Sequence, residues 1–191
     1  AIHAVSWEQR VHIVVAITGA SGAPISLRLL KALQKHEVSL IVTPMGERII
    51  SLEAEEVDLP VTKHYRHLDF EAPIASSSSA PDAMIICPCS MRTLAAVAHG
   101  LSDNLVTRCA DNMLRLGRPL VLVPRETPLS LPALDNLRAA ASYGALIVPP
   151  MLAYYFQPQS VDDLTDFVVG KVLDCLSLPH QLYPRWREES Q

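Results

Sequence analysis

Short, almost unbroken apolar runs alternate along the chain with longer segments whose apolar positions recur every three or four residues. Val11–Ile17 is the first such run, the pattern of a strand buried on both faces. Pro24 to His36 follows, with Ile25, Leu29, Leu30 and Leu33 at helical spacing. Pro24 suits a first helical turn, where its missing N–H costs nothing. Val38–Thr43 predicts a second strand, and Met45 to Glu53 a second helix after Pro44. Residues 54–74 are mixed and polar and carry no clear period. The four serines from Ser76 to Ser79 precede the strand Ala83–Cys87, which predicts a polar loop at the surface or at a site. Ser90–His99 reads as a helix with Ser90 near its N-cap, and Asn104–Leu116 as another, ended by Gly117. Pro119–Val123 is a strand, Leu131–Tyr143 a helix ended by Gly144, and Ala145–Val148 a strand. Pro149–Ser160 is a loop with three aromatic side chains. Val161–Leu176 is the last helix, with Ser160 as N-cap and Asp162 and Asp163 in its first turn, where carboxylates favour the helix dipole.

This order predicts an α/β fold: three layers, a mainly parallel sheet with helices on both faces. Ligands in such folds sit outside the carboxyl ends of the strands. Four loops fall there: Gly19–Pro24, Pro88–Thr93, Pro124–Leu129 and Pro149–Ser160. They are also rich in Gly, Pro, Ser and charged or aromatic residues.

The length of 191 residues fits one domain, here 1–191, with residues 1–10 as an N-terminal extension and 177–191 as a C-terminal tail. With 49% hydrophobic and 19% charged residues the chain is too apolar for disorder. A net charge of −4 argues against a general nucleic-acid binder. No apolar run reaches the roughly 18 residues of a membrane-spanning helix, and Ala1 to Arg10 has no apolar signal core. A cytoplasmic protein is expected. The mean hydropathy of +0.20 is high for such a chain, so the apolar excess must be buried inside the domain or between subunits. Cys87, Cys89, Cys109 and Cys175 show no C-x-x-C spacing, and with seven scattered histidines they form no zinc quartet, so no metal is expected.

Thr18-Gly19-Ala20-Ser21-Gly22 joins the first strand to its helix, and small residues there let backbone N–H groups approach a phosphate. No Gly-Lys-Ser/Thr follows, and Ser21 breaks the dinucleotide fingerprint. The plain alternative is a tight strand-to-helix turn. Pro88-Cys89-Ser90-Met91-Arg92-Thr93 repeats the logic, either as an anion or flavin-edge site or as plain capping by Ser90. In Pro124-Arg125-Glu126-Thr127-Pro128 the prolines stiffen a loop that carries a bidentate anion binder and a proton acceptor or donor. The plain alternative is a surface ion pair. Tyr154-Tyr155-Phe156 could close over a planar ligand or simply pack. Arg108, Arg115 and Arg118 mark a solvated face, a phosphate site or a subunit contact.

Taken together, these loops resemble the flavin prenyltransferase family of the UbiX/Pad1 type. The motifs that carry the resemblance are residues 18–22, Ser-Ser-Ala-Pro at 78–81, Cys-Pro-Cys-Ser-Met at 87–91, Pro-Leu-Val-Leu-Val-Pro-Arg-Glu-Thr-Pro at 119–128 and Gln-Pro-Gln-Ser-Val-Asp-Asp at 157–163. The resemblance implies a Rossmann-like fold, a dodecamer with flavin between subunits, and transfer of a dimethylallyl group from dimethylallyl phosphate to N5 and C6 of reduced FMN. The prenylated FMN would serve a partner decarboxylase of the UbiD type. Ser21, with Gly19 and Ala20, would contact FMN near the transferring group, as would Thr43 where a Ser is common. Ser90, Met91, Arg92, Thr93 and Arg125 would hold FMN. Glu126 would assist proton movement. Tyr155, Lys171, Arg115, Arg108 and Phe70 would line the prenyl phosphate site.

Three positions depart from the family pattern: Arg115 replaces a Lys given by a neighbouring subunit, Lys171 replaces an Arg, and Phe70 replaces a Trp. Each Lys/Arg exchange keeps the charge but changes donor geometry, which suggests a rebuilt phosphate pocket. Two other functions compete: an FMN storage or delivery protein without transferase activity, and a flavin-dependent cysteine decarboxylase. The second would want a Pro-Ala-Ser-Ala-Asn-Thr-like loop where this chain has Pro-Cys-Ser-Met-Arg-Thr.

Overall fold

Six strands and six helices follow one another in a computed structural model that describes residues 10–55 and 57–186. In chain order they are β1 (His12–Ile17), α1 (Ala23–Ala32), β2 (Glu37–Val42), α2 (Pro44–Glu53), β3 (Lys63–Arg66), β4 (Ala83–Cys89), α3 (Met91–Ala98), α4 (Leu105–Leu116), β5 (Leu120–Pro124), α5 (Leu131–Ser142), β6 (Leu146–Ile147) and α6 (Val161–Cys175). Of the expected N-terminal extension, residues 1–9 lie outside the described residues, as do 187–191 of the tail.

The strands form one sheet in the order β3-β2-β1-β4-β5-β6, and every pair is parallel. Parallel strands need helical crossovers, which cover both faces and leave the inner strands wholly apolar. One face carries Ile13, Val15 and Ile17 against α1 and α6, through Leu29, Leu30, Val169 and Val172. The other carries Val14, Ala16, Met84 and Ile86 against α3 and α4, through Leu94, Val97, Cys109 and Met113. Alternate residues of one strand thus feed two separate cores. The three-layer α/β, Rossmann-like architecture expected from the sequence is the one observed.

Local signals set most helix ends. Asn104 and Thr107 bond each other's backbone N–H in a capping box at the start of α4, and Ser160 and Asp163 do so at α6. Strand β3 had no period to announce it: three of its four residues are exposed, and it pairs with β2 alone. The serine run folds into a short 3-10 turn, Ser77–Ser79, closed by Ser76. Strand β6 is two residues long, shorter than the expected Ala145–Val148.

The chain order reverses between β1 and β4, and that switch point is where such sheets open a crevice for ligands. Tight packing fixes its rim. A Cβ on Gly46, in the first turn of α2, would lie 2.5 Å from the Ile17 carbonyl oxygen, so only glycine lets α2 sit this close to the end of β1.

Candidate functional site

Thr18 stitches the two loops at the switch point. Its Oγ1 donates to the Pro88 carbonyl at 2.7 Å and accepts from the Ser90 N–H at 2.8 Å. Ser90 in turn caps α3, accepting from the Thr93 N–H at 3.2 Å, while the two hydroxyls lie 3.0 Å apart. Thr43 caps α2 in the same manner, accepting from Gly46 N–H at 3.1 Å. Gly19, Ala20, Ser21, Thr43, Ser90, Met91 and Thr93 therefore stand on the ends of β1, β2 and β4 and the helices that leave them. Arg92 shares this turn but points outward, paired with Asp103 at 2.9 Å.

The first loop holds a residue that the sequence reading passed over. Glu53, the last residue of α2, accepts from the N–H groups of Gly22 at 2.8 Å and Ala23 at 2.9 Å. It thereby occupies the N-terminus of α1, the spot where the sequence suggested a phosphate. The chain itself supplies the negative charge that this turn favours, and a phosphate there would meet a second anion. Burial pushes the Glu53 carboxyl up. Hydrogen bonds from the Ser21 hydroxyl and the two N–H groups, with the Arg125 charge, outweigh it and hold the carboxyl below its usual value. Ser21, Glu53 and Arg125 are thus one electrostatic unit drawn from two loops and the end of α2. The only sequence signal for Glu53 was its place at a helix end, which many acids share.

Arg125 follows β5, and its backbone N–H bonds the Cys89 carbonyl at 3.3 Å. Its Nε is buried and has no hydrogen-bond partner. Beside it lies a cavity of about 280 Å³ lined by Glu126, Thr127, Leu129, Leu137, Pro149 and Met151. A buried donor without an acceptor costs roughly 1–3 kcal/mol. An apolar cavity edged by such a donor fits a flat ligand with acceptor atoms, as the ring system of FMN has. The Glu126 carboxylate is exposed and turns back onto the Thr127 N–H at 3.0 Å.

Tyr155 and Lys171 come together in an aromatic cluster. Tyr155 packs edge-on to Phe156, Phe167 and Trp186. Lys171 Nζ lies 5.5 Å over the Phe167 ring and 5.0 Å over the Tyr183 ring. A hydrogen bond with Tyr183, set against partial burial, raises the Lys171 pKa, so its ammonium is secure.

The remaining positions stand apart in a single protomer. Arg108 donates to the Ala75 carbonyl at 3.0 Å. Arg115, one residue before α4 ends and the chain turns toward β5, pairs with Asp111 at 3.0 Å. That is the edge of the sheet opposite to Arg125. Phe70 is 47% exposed on the loop after β3. Cys87 and Cys89 are fully buried core side chains, with the Cys87 thiol pushed up to about 12 by burial. Among the described residues no three His, Cys, Asp or Glu gather into a metal-binding group.

The Flavoprotein family model matches residues 4–173. The flavin prenyltransferase UbiX of Pseudomonas aeruginosa is 42% identical over 198 aligned residues, covering 93% of this chain and 94% of that protein. A crystal structure of AnUbiX in complex with FMN and dimethylallyl pyrophosphate is 39% identical, with a TM-score of 0.92 over 95% of this chain and 100% of the other. A dodecameric FMN-dependent UbiX-like decarboxylase from Escherichia coli O157:H7 is 40% identical, with a TM-score of 0.90 over 92% and 99%. Fold, loop motifs and identity across almost the whole length agree, and the chain belongs to the flavin prenyltransferase family of the UbiX type.

Proposed function

We propose that this protein transfers a dimethylallyl group from dimethylallyl phosphate to N5 and C6 of reduced FMN. The observation that carries the reading is the unpartnered, buried Arg125 Nε beside an apolar cavity, with the Arg125 charge also acting on the Glu53 carboxylate that Ser21 bonds. Ser90, Met91 and Thr93 line the turn after β4, and with Gly19, Ala20 and Thr43 they form the rest of the flavin rim, while Arg92 in the same turn pairs outward with Asp103.

Reduced FMN supplies the electron-rich N5 and C6 atoms that take the prenyl carbons. The chain's own groups act around it. Arg125 donates to a flavin acceptor and fixes the ring against the apolar wall. Tyr155 and Lys171 bind the phosphate and stabilise the negative charge that gathers as the allylic carbon–oxygen bond breaks. The rings near Tyr155 favour the positive charge on the allyl fragment. Ser21 is held by Glu53 beside the reacting edge. Glu126, free to swing from the Thr127 N–H, accepts the proton lost from C6.

Arg115 reaches the phosphate from a neighbouring copy in a homo-oligomer, a dodecamer as in the Escherichia coli relative, and Arg108 and Phe70 complete the donor site. The product serves a decarboxylase of the UbiD type. A cytoplasmic setting suits the free thiols Cys87, Cys89, Cys109 and Cys175.

Anaerobic incubation with reduced FMN and dimethylallyl phosphate, read by flavin mass, tests the reading. A flavin heavier by one five-carbon unit is expected. Flavin of unchanged mass with both the monophosphate and the diphosphate overturns it.

A further inference from the structure

The C-terminal segment does not leave the domain where α6 ends. Ser177 takes a left-handed turn, with φ of 53°, and the Leu178 N–H bonds back to the Leu173 carbonyl at 3.0 Å. Residues 178–186 then run back along α6 toward the carboxyl edge of the sheet. A Cβ on Gly170 would lie 2.5 Å from the Tyr183 ring, so the helix carries a glycine where the returning segment presses on it. The segment ends on Tyr155: the Trp186 ring packs 5.1 Å from it, and the Tyr155 hydroxyl donates to the Pro184 carbonyl at 3.0 Å.

One carboxylate ties this return to the helix. Asp174 accepts from the Tyr183 hydroxyl, from Arg185 at 2.8 Å and from His180 at 3.0 Å, and it stands 3.8 Å from Lys171 Nζ. It therefore touches both residues flanking the Pro184 carbonyl, and it also faces the ammonium of Lys171. No hydrogen bond or ion pair among the described residues joins Asp174 to Ser21, Ser90 or Arg125.

We propose that Asp174 is a positioning residue for the prenyl donor, acting on Tyr155 through Tyr183, Arg185 and the Pro184 carbonyl, and on Lys171 directly. This rests on the reading of Tyr155 and Lys171 as phosphate ligands. Asp174 does not touch the donor. It fixes the separation of the two groups that do, and it leaves the flavin rim alone. Substitution there changes donor binding without changing flavin binding, a split that general destabilisation does not produce.

The test uses the full-length protein loaded with oxidised FMN, which binds without turnover. Calorimetry measures dimethylallyl phosphate binding, and flavin fluorescence measures FMN binding, for wild type, D174N, D174E and Y183F. For D174N a donor Kd raised about tenfold, the size of one lost charged contact, is expected, with FMN Kd unchanged within twofold. D174E recovers part of the donor affinity. Y183F keeps the ring against Gly170 and removes one donor to the carboxylate, and raises donor Kd severalfold. It decides the matter if D174N does not fold. Donor Kd unchanged in D174N, or in Y183F where that variant decides, overturns the proposal, as does equal loss for donor and FMN. Wild type that binds FMN but no dimethylallyl phosphate overturns both the functional reading and this inference.

Discussion

Replacing Glu53 with Gln removes one charge from the N-terminus of α1 and little volume. The wild-type carboxylate accepts two backbone N–H groups, at 2.8 and 2.9 Å. Gln keeps one acceptor oxygen, so the bonds weaken rather than vanish. Hydrogen bonds to charged groups exceed neutral ones by roughly 0.5–1.5 kcal/mol, and the helix dipole adds about 0.3–1 kcal/mol. The site is partly open to water, which favours the lower half of the sum, about 1–2 kcal/mol. For a chain of this size each kcal/mol moves Tm by roughly 2–4 °C, so Glu53→Gln lowers Tm by about 2–8 °C at pH 7. The pH dependence follows from the lowered carboxyl pKa. The stabilisation is complete above the ordinary value of 4.5 and is lost as pH falls through the lower folded value. Differential scanning fluorimetry at fixed protein concentration, from pH 8 to pH 4 and below, reads both features. Equal Tm at pH 7, or a gap that stays constant as the wild-type carboxylate protonates, refutes the account of Glu53 as a charged cap.

Arg125→Met removes the unpartnered donor and, on the proposed reading, its contact with flavin. FMN binding, followed by fluorescence quenching, weakens by about 10- to 100-fold, while Tm without flavin holds or rises. Gly46→Ala drives a Cβ to 2.5 Å from the Ile17 carbonyl oxygen, which also accepts the Thr43 N–H at 3.0 Å and so cannot recede. Overpacking of roughly 1–3 kcal/mol outweighs the helix propensity gained, and chemical denaturation shows a net loss of stability. Cys87, Cys89 and Cys109 stay unlabelled by a thiol reagent at pH 8 in the native protein, since burial raises their pKa values, and react once guanidinium unfolds the chain.

The sequence pattern announced the parallel sheet because its strands are apolar on both sides. Val14 and Val15 face opposite cores, yet both are fully buried. It could not announce β3, whose Lys63, His64 and Arg66 are exposed at the sheet edge. The loops that form the site were legible for a related reason: Thr18, Ser90 and Arg125 sit at strand ends, where polar residues interrupt apolar runs. What the pattern could not carry was which side chain answers which loop. Glu53 reaches the N-terminus of α1 from 31 positions away in sequence, and Asp174 looks like any acid on an amphipathic helix until the returning segment is seen to bind it. Long-range pairing of this kind leaves no local period.

On the proposed reading, Arg115 links the apolar surplus of the chain to the site. It lies at the edge opposite to Tyr155 and Arg125, so within one protomer it cannot share a phosphate with them. Around it runs a groove of about 580 Å³ lined by Val97, Leu101, Leu114 and Tyr143. Leu101 and Leu116 are 58% and 43% exposed. Apolar surface beside a cation is what a second copy would cover, and covering it would carry Arg115 toward a neighbour's Tyr155. Assembly and donor binding are then coupled. The protein runs in light scattering far above its 20.9 kDa chain mass, and Leu101→Glu, which places a charge in the groove wall, or Leu116→Glu, on the exposed surface next to Arg115 in sequence, lowers both the mass and the affinity for dimethylallyl phosphate. FMN-loaded monomer that binds the donor as tightly as wild type would sever that link and leave Arg115 an ordinary partner of Asp111 on a solvated helix.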